Sequence, residues 1–198
     1  MTYALAINPD PHIMRLSGNI KNTIREGLNR DYGSYNALAH ISLLSFEAQE
    51  KNYPHILTEF KRILAVLTPF QLGFVGFGDF IAKKNCTFFI RPDDDATDAI
   101  IERCEKISTS FEKSVKRRYI ESWKMVVKKT PHMSLARELS QSEIATCYDL
   151  FPGGFKESFF CKYFVIRKFN EQRGQFDILD TIELLGRDYM EGEQTKLF

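Results

Sequence analysis

Cysteine is sparse in this sequence and does not cluster. Its four copies, Cys86, Cys104, Cys147 and Cys161, form no C-x-x-C pair and stand at no metal-ligand spacing from a histidine, which argues against a zinc-ribbon or disulfide-framed module. Cys86 and Cys161 lie in runs that read as buried strands, so reduced core cysteines of a cytosolic protein are expected, with no metal site. An excess of one charge is also missing. The 27 Lys and Arg oppose 26 Asp and Glu, leaving none of the long-range field on which non-specific duplex binding depends. Any nucleic-acid partner is therefore met locally. No stretch approaches the ~20 apolar residues of a membrane span. The N-terminal "MTYALAINPDPH" lacks the basic n-region and long apolar run of a secretory leader. A cytoplasmic protein with no membrane partner is expected. Linker-like composition is absent as well, so residues 1–198 are read as one domain. "GFGDF" lacks the lysine of a phosphate loop and the third glycine of a dinucleotide fingerprint.

What is present is a regular succession of short apolar strands and amphipathic helices. "YALAIN" (3–8) reads as a strand stopped by "PDP". Ile13, Leu16, Ile20, Ile24 and Leu28 then form one helical stripe, and Ile56, Leu57, Phe60, Leu64 and Leu67 another. "FQLGFVGFGDFI" and "NCTFFIRPDDD", joined by "AKKN", predict a hairpin. A helix capped among Asp93, Asp94 and Asp95 should run through "ATDAIIERCEKISTSFEKSV", with the basic run after it as a solvated end. Ser140 and Glu143 match a capping box, and "SFFCKYFVIRKF" (158–169) reads as one long strand before a polar tail. Two strand and helix sets of roughly 90 residues result, the count of an internal duplication rather than of a solenoid.

Each half carries the same short motif. "AHISL" and "PHMSL" place His40 with Ser42 and His132 with Ser134, and on a strand residues two apart share a face. The apolar residues between and after them, Ile41, Leu43, Met133 and Leu135, should hold the backbone from the core side. If pseudo-symmetry sets the two strands side by side, two imidazoles and two hydroxyls line one cleft. Phosphodiester cleavage needs one group to take a proton from the attacking oxygen and another to give one to the leaving oxygen. A pair of histidines, one neutral and one protonated near neutral pH, can divide that work. The serines would donate to the non-bridging phosphate oxygens. His12 and His55, at expected helix starts without a serine partner, are read as structural or surface residues.

On these motifs, and on "YALAINPD", "GFGDF", "FFIRP" and "YFVIRKF" around them, the sequence resembles the two-histidine phosphoesterase superfamily of LigT-like cyclic phosphodiesterases and 2′-5′ RNA ligases. The resemblance implies an α+β fold of two pseudo-symmetric lobes, each an antiparallel-rich sheet with helices on its outer face, around a central cleft. It implies 2′,3′-cyclic phosphates at RNA or nucleotide ends as substrates, no cofactor and no metal; no obligate protein partner is inferred. Carried over, His40 and His132 become the acid and base, and Ser42 and Ser134, where the family often has Thr, the phosphate ligands. Provisionally His132 activates water and His40 protonates the 3′ oxygen, with the roles reversing if substrate binds the other way round. Arg137 stands where the family frequently shows arginine, but strand parity puts it off the histidine face. A non-catalytic binder of RNA ends or nucleotides, and an enzyme acting on a cyclic phosphate of an ADP-ribose derivative, are the rival readings.

Overall fold

The computed structural model describes residues 1–127 and 130–187. From residue 188 on, the expected polar tail lies outside the described residues. The chain runs β1 (Thr2–Ile7), α1 (Pro11–Leu28), β2 (Ile41–Glu47), α2 (Tyr53–Ala65), β3 (Phe70–Phe80), β4 (Cys86–Pro92), α3 (Asp94–Ser110) and α4 (Lys113–Tyr119). It continues through β5 (Ser122–Met125), β6 (Met133–Leu139), α5 (Gln141–Leu150), β7 (Lys156–Cys161), β8 (Tyr163–Asn170) and β9 (Gln175–Glu183). All strand pairings are antiparallel, in the order β7-β3-β4-β6-β2-β1-β8-β9 with β5 alongside β2. The sheet curls into two lobes that meet at β2 and β6, where a single pair, Ile41 with Met133, joins them. The α+β, two-lobed architecture is the one expected.

Helix boundaries follow local chemistry. The Asp10 carboxylate accepts from the Ile13 N–H, and Pro11, whose missing N–H costs nothing in a first turn, starts α1 earlier than the apolar stripe does. Asp93 caps α3 through the Ala96 N–H. The box at α5 is complete, with Glu143 N–H donating to the Ser140 hydroxyl and the Ser140 N–H to the Glu143 carboxylate. α1 and α5 pack together over the β6 side, and α2 with α4 over the β9 side.

Three expectations are corrected. The helix read through residue 115 ends at Ser110, because Phe111 leaves helical geometry to bury its ring against Phe60 and Trp123, and the basic run belongs to a separate α4. "SFFCKYFVIRKF" is two strands broken at Lys162: β7 is the half-exposed edge beside β3, and β8 is a buried strand beside β1 at the other end of the sheet. Consequently the lobes are not the halves of the sequence. β1, β2, β5, β8 and β9 form the lobe of His40, and β3, β4, β6 and β7 that of His132, so the chain exchanges strands between them. All four cysteines are free and buried, and burial pushes the thiols of Cys104 and Cys161 up to about 12 and that of Cys147 to about 11.

Candidate active site

The Ile41–Met133 pair lies one residue after each histidine. His40 and His132 themselves stand one residue outside β2 and β6, at the point where the two strands meet. All four side chains line one cavity of ≈ 330 Å³ between the lobes. Ile41, Leu43, Met133 and Leu135 are buried behind them.

Arg137 lines the same cavity, against the parity expectation, and the reason is a β-bulge. Consecutive residues Phe88 and Phe89 of β4 pair with Ala136 and Ser134 of β6, leaving Leu135 as the extra residue. The extra residue reverses the alternation beyond it. The other lobe repeats this: Leu5 and Ala6 pair with Leu44 and Ser42, leaving Leu43 extra. The bulge thus falls on the leucine of both H-x-S-L motifs, and the position five residues after each histidine, Ser45 or Arg137, turns to the cleft.

The segment before His40 is tethered from two sides. Lys21 of α1 is buried, and its Nζ donates to the carbonyls of Ser34 (2.9 Å) and Ala37 (2.5 Å). Burial, with the charge of Arg167, pushes that ammonium down to about 8. From the other lobe, the Arg137 N–H donates to the Gly33 carbonyl at 2.9 Å.

Both imidazoles are held alike. His40 Nδ1 lies 2.7 Å from the Leu38 carbonyl and His132 Nδ1 3.0 Å from the Thr130 carbonyl. A carbonyl only accepts, so each Nδ1 carries the proton and each neutral ring offers Nε2 as its base. Burial depresses His40 most, Arg167 adds repulsion, the bond to Leu38 opposes, and Lys21 and Arg137 add further repulsion; the result is about 4. His132 is also lowered, by burial and then by Arg137, against the bond to Thr130. Both shifts favour the neutral imidazole near neutral pH. Among the described residues no carboxylate lines the cavity, and a bound anion would favour the imidazolium.

The cavity also contains residues the motifs did not point to: Phe80, Thr87, Val126 and Ser34. Phe80 meets the His132 ring edge to face, centroids 4.9 Å apart, and Phe89 packs on it at 5.1 Å. "GFGDF" is explained by this packing. A Cβ on Gly78 would stand 2.6 Å from the Phe89 ring, so glycine lets Phe89 lie where it supports His132. His12 and His55 do not line this cavity. His12 sits 3.5 Å from Glu157 and His55 stacks on Tyr119.

The sequence profile of the 2′-5′ RNA ligase superfamily matches residues 9–167. No curated protein matches the sequence. Among solved structures, TT0787 of Thermus thermophilus is similar at a TM-score of 0.67 and 16% identity, over 94% of this chain and 99% of that one. E. coli LigT complexed with 3′-AMP is similar at 0.58 and 14%, over 92% and 97%. Kluyveromyces marxianus Usb1 with uridine monophosphate is similar at 0.51 and 12%, over 92% and 96%.

Proposed function

The chain belongs to the 2′-5′ RNA ligase superfamily of two-histidine phosphoesterases, and from that premise we propose that it hydrolyses 2′,3′-cyclic phosphates at RNA or nucleotide ends, with His40 and His132 as base and acid. The observation that carries this reading is the shared cavity: two Nε2-basic imidazoles, two serines and an arginine, with no carboxylate among its described lining residues. The nucleotide complexes of LigT and Usb1 support a nucleotide in that cleft, and four buried free cysteines agree with a cytoplasmic setting.

In the reaction, water oxygen bonds to phosphorus and the P–O3′ bond breaks. One imidazole takes the proton of the attacking water and the other gives its proton to the departing 3′ oxygen, leaving a 2′-phosphate. Burial and then the charge of Arg167 disfavour a proton on His40, and on that ground we assign it the base and His132 the acid, the reverse of the provisional order. The serine hydroxyls hold the non-bridging oxygens. Ser42→Ala and Ser134→Ala should each slow turnover by roughly 10- to 1,000-fold, the range for removing one preorganised donor. Unchanged rates in both variants would take the hydroxyls out of the site.

The deciding experiment is a turnover panel of cyclic mononucleotides, cyclic-ended oligonucleotides and an ADP-ribose cyclic phosphate. Hydrolysis of a 2′,3′-cyclic phosphate that survives EDTA is the expected result, since no group of three or more His, Cys, Asp or Glu converges among the described residues. Loss on chelation, restored by a divalent ion, would overturn the mechanism. Binding throughout the panel without turnover would make the protein a binder.

A further inference from the structure

The two lobes are built alike, yet they face the cleft differently. Outward from the β2–β6 pair the strands run β2, β1, β8, β9 in one lobe and β6, β4, β3, β7 in the other. Residues paired across strands share a face. In the His40 lobe the cleft-facing rows are therefore Ser42, Ala6, Val165 and Ser45, Ala4, Arg167. The equivalent positions in the His132 lobe are Ser134, Phe89, Gly78 and, beyond Arg137, Thr87 and Phe80. Where one lobe sets the Phe80 ring, the other sets Arg167; where one fills space with Phe89, the other has Ala6.

Of the small residues in these rows, Ala4 lines the space beside Arg167. A second cavity of ≈ 530 Å³ shares His40, Ser42 and Arg137 with the first and extends past them to Arg167, Phe169 and Phe176. Arg167 is only 2% exposed. One of its nitrogens, Nη2, donates to the Phe176 carbonyl at 2.8 Å, while Nε has no partner among the described residues. It makes no salt bridge among them either. Asp177, whose charge acts on it, is engaged by Arg173 at 2.6 Å and Asn170 at 2.8 Å. A buried guanidinium with an unpaired N–H is costly unless an anion completes it, and its planar fork matches phosphate oxygens better than a point charge does.

We propose that Arg167 anchors a second phosphate subsite, which takes the phosphate on the 5′ side of a nucleotide whose 3′-terminal phosphate lies between the histidines. The inference rests on that cleft holding the terminal phosphate. It narrows the substrate to a nucleotide carrying a 5′-phosphate or to the end of an RNA strand, whose internucleotide phosphodiester is the same chemistry. It also gives the cleft a polarity, with the phosphate-bearing side toward β8 and the Phe80 ring on the opposite side.

Calorimetric affinities of the intact protein for adenosine 3′-monophosphate, adenosine 3′,5′-bisphosphate and the dinucleotide ApA ending in a 3′-phosphate test this without needing turnover. At least one of the two longer ligands should bind about 10- to 100-fold more tightly than the monophosphate, the worth of charge-assisted hydrogen bonds to one anion; which of them gains identifies the source of the phosphate. Arg167→Met should collapse that ratio toward one. Should the Met variant fail to fold, Arg167→Lys, which keeps the charge but loses the fork, should retain only part of it. Equal affinity for all three ligands in the wild type, or an undiminished ratio in the folded variant, overturns the subsite. A preserved ratio in a protein that hydrolyses no cyclic phosphate upholds the subsite and removes the proposed reaction, and hydrolysis with no ratio does the opposite.

Discussion

Replacing His40 or His132 by alanine is expected to leave a folded protein that turns over a 2′,3′-cyclic phosphate about 100- to 10,000-fold more slowly, the usual contribution of one placed acid or base. Folding should survive because the apolar neighbours carry the packing. Ile41 and Met133 join the lobes, and each imidazole's hydrogen bond is to a carbonyl two residues back in its own segment. Melting temperature gives an independent check on His40. Its folded-state value of about 4 lies below the ordinary 6.5, so the unfolded chain binds the proton more readily. The stability this contributes is fully present above about pH 6.5 and is lost as pH falls through 6.5 toward 4. His40→Ala should be spared that part of the acid destabilisation while losing activity at every pH. Unfolding of one variant at pH 7 together with full rate in the other would make the histidines structural.

The pH dependence of kcat/KM should be bell-shaped, with a maximum on the acid side of neutrality. Only the form with one imidazole neutral and the other protonated is competent. That form is most populated between the two apparent values, which belong to the pair rather than to either ring. With His40 near 4 and His132 lowered from 6.5, the free protein passes into the doubly neutral form by pH 7, and kcat/KM should then fall up to tenfold per pH unit. Bound phosphate favours the imidazolium, so the basic limb of kcat should lie at higher pH than that of kcat/KM. His40→Ala should lack the acidic limb and His132→Ala the basic one, each at a low residual rate. Exchange of the two limbs would restore His132 as the base. A wild-type profile flat from about pH 5 to pH 9 would mean that no such pair titrates, and two-histidine catalysis would have to be abandoned.

Much of this architecture is local and so legible in the chain itself. The caps at Asp10, Asp93 and Ser140 are side-chain bonds to backbone within three residues, and the stripe of α1 and the repeated H-x-S-L motif are matters of spacing. A mark of Arg167 was also present, as the first of two charges directly after the apolar run in "YFVIRKF". What spacing cannot carry is register, because which residue is left unpaired depends on the strand alongside. Leu43 and Leu135 became bulges only through their pairing with β1 and β4, and that choice turned Arg137 into the cleft when simple alternation turned it out. In the same way "SFFCKYFVIRKF" gives no warning that its two parts lie at opposite ends of the sheet, since chain continuity sets no limit on where a strand finds its partner. The motif and most of the elements, though not the end of α3 or the break between β7 and β8, were thus determined by the sequence alone. The tertiary structure decided which strands make each lobe, that Arg137 joins the histidines, and that Arg167 occupies the place Phe80 holds in the other lobe, because each of these depends on cross-strand pairing between segments far apart in the chain.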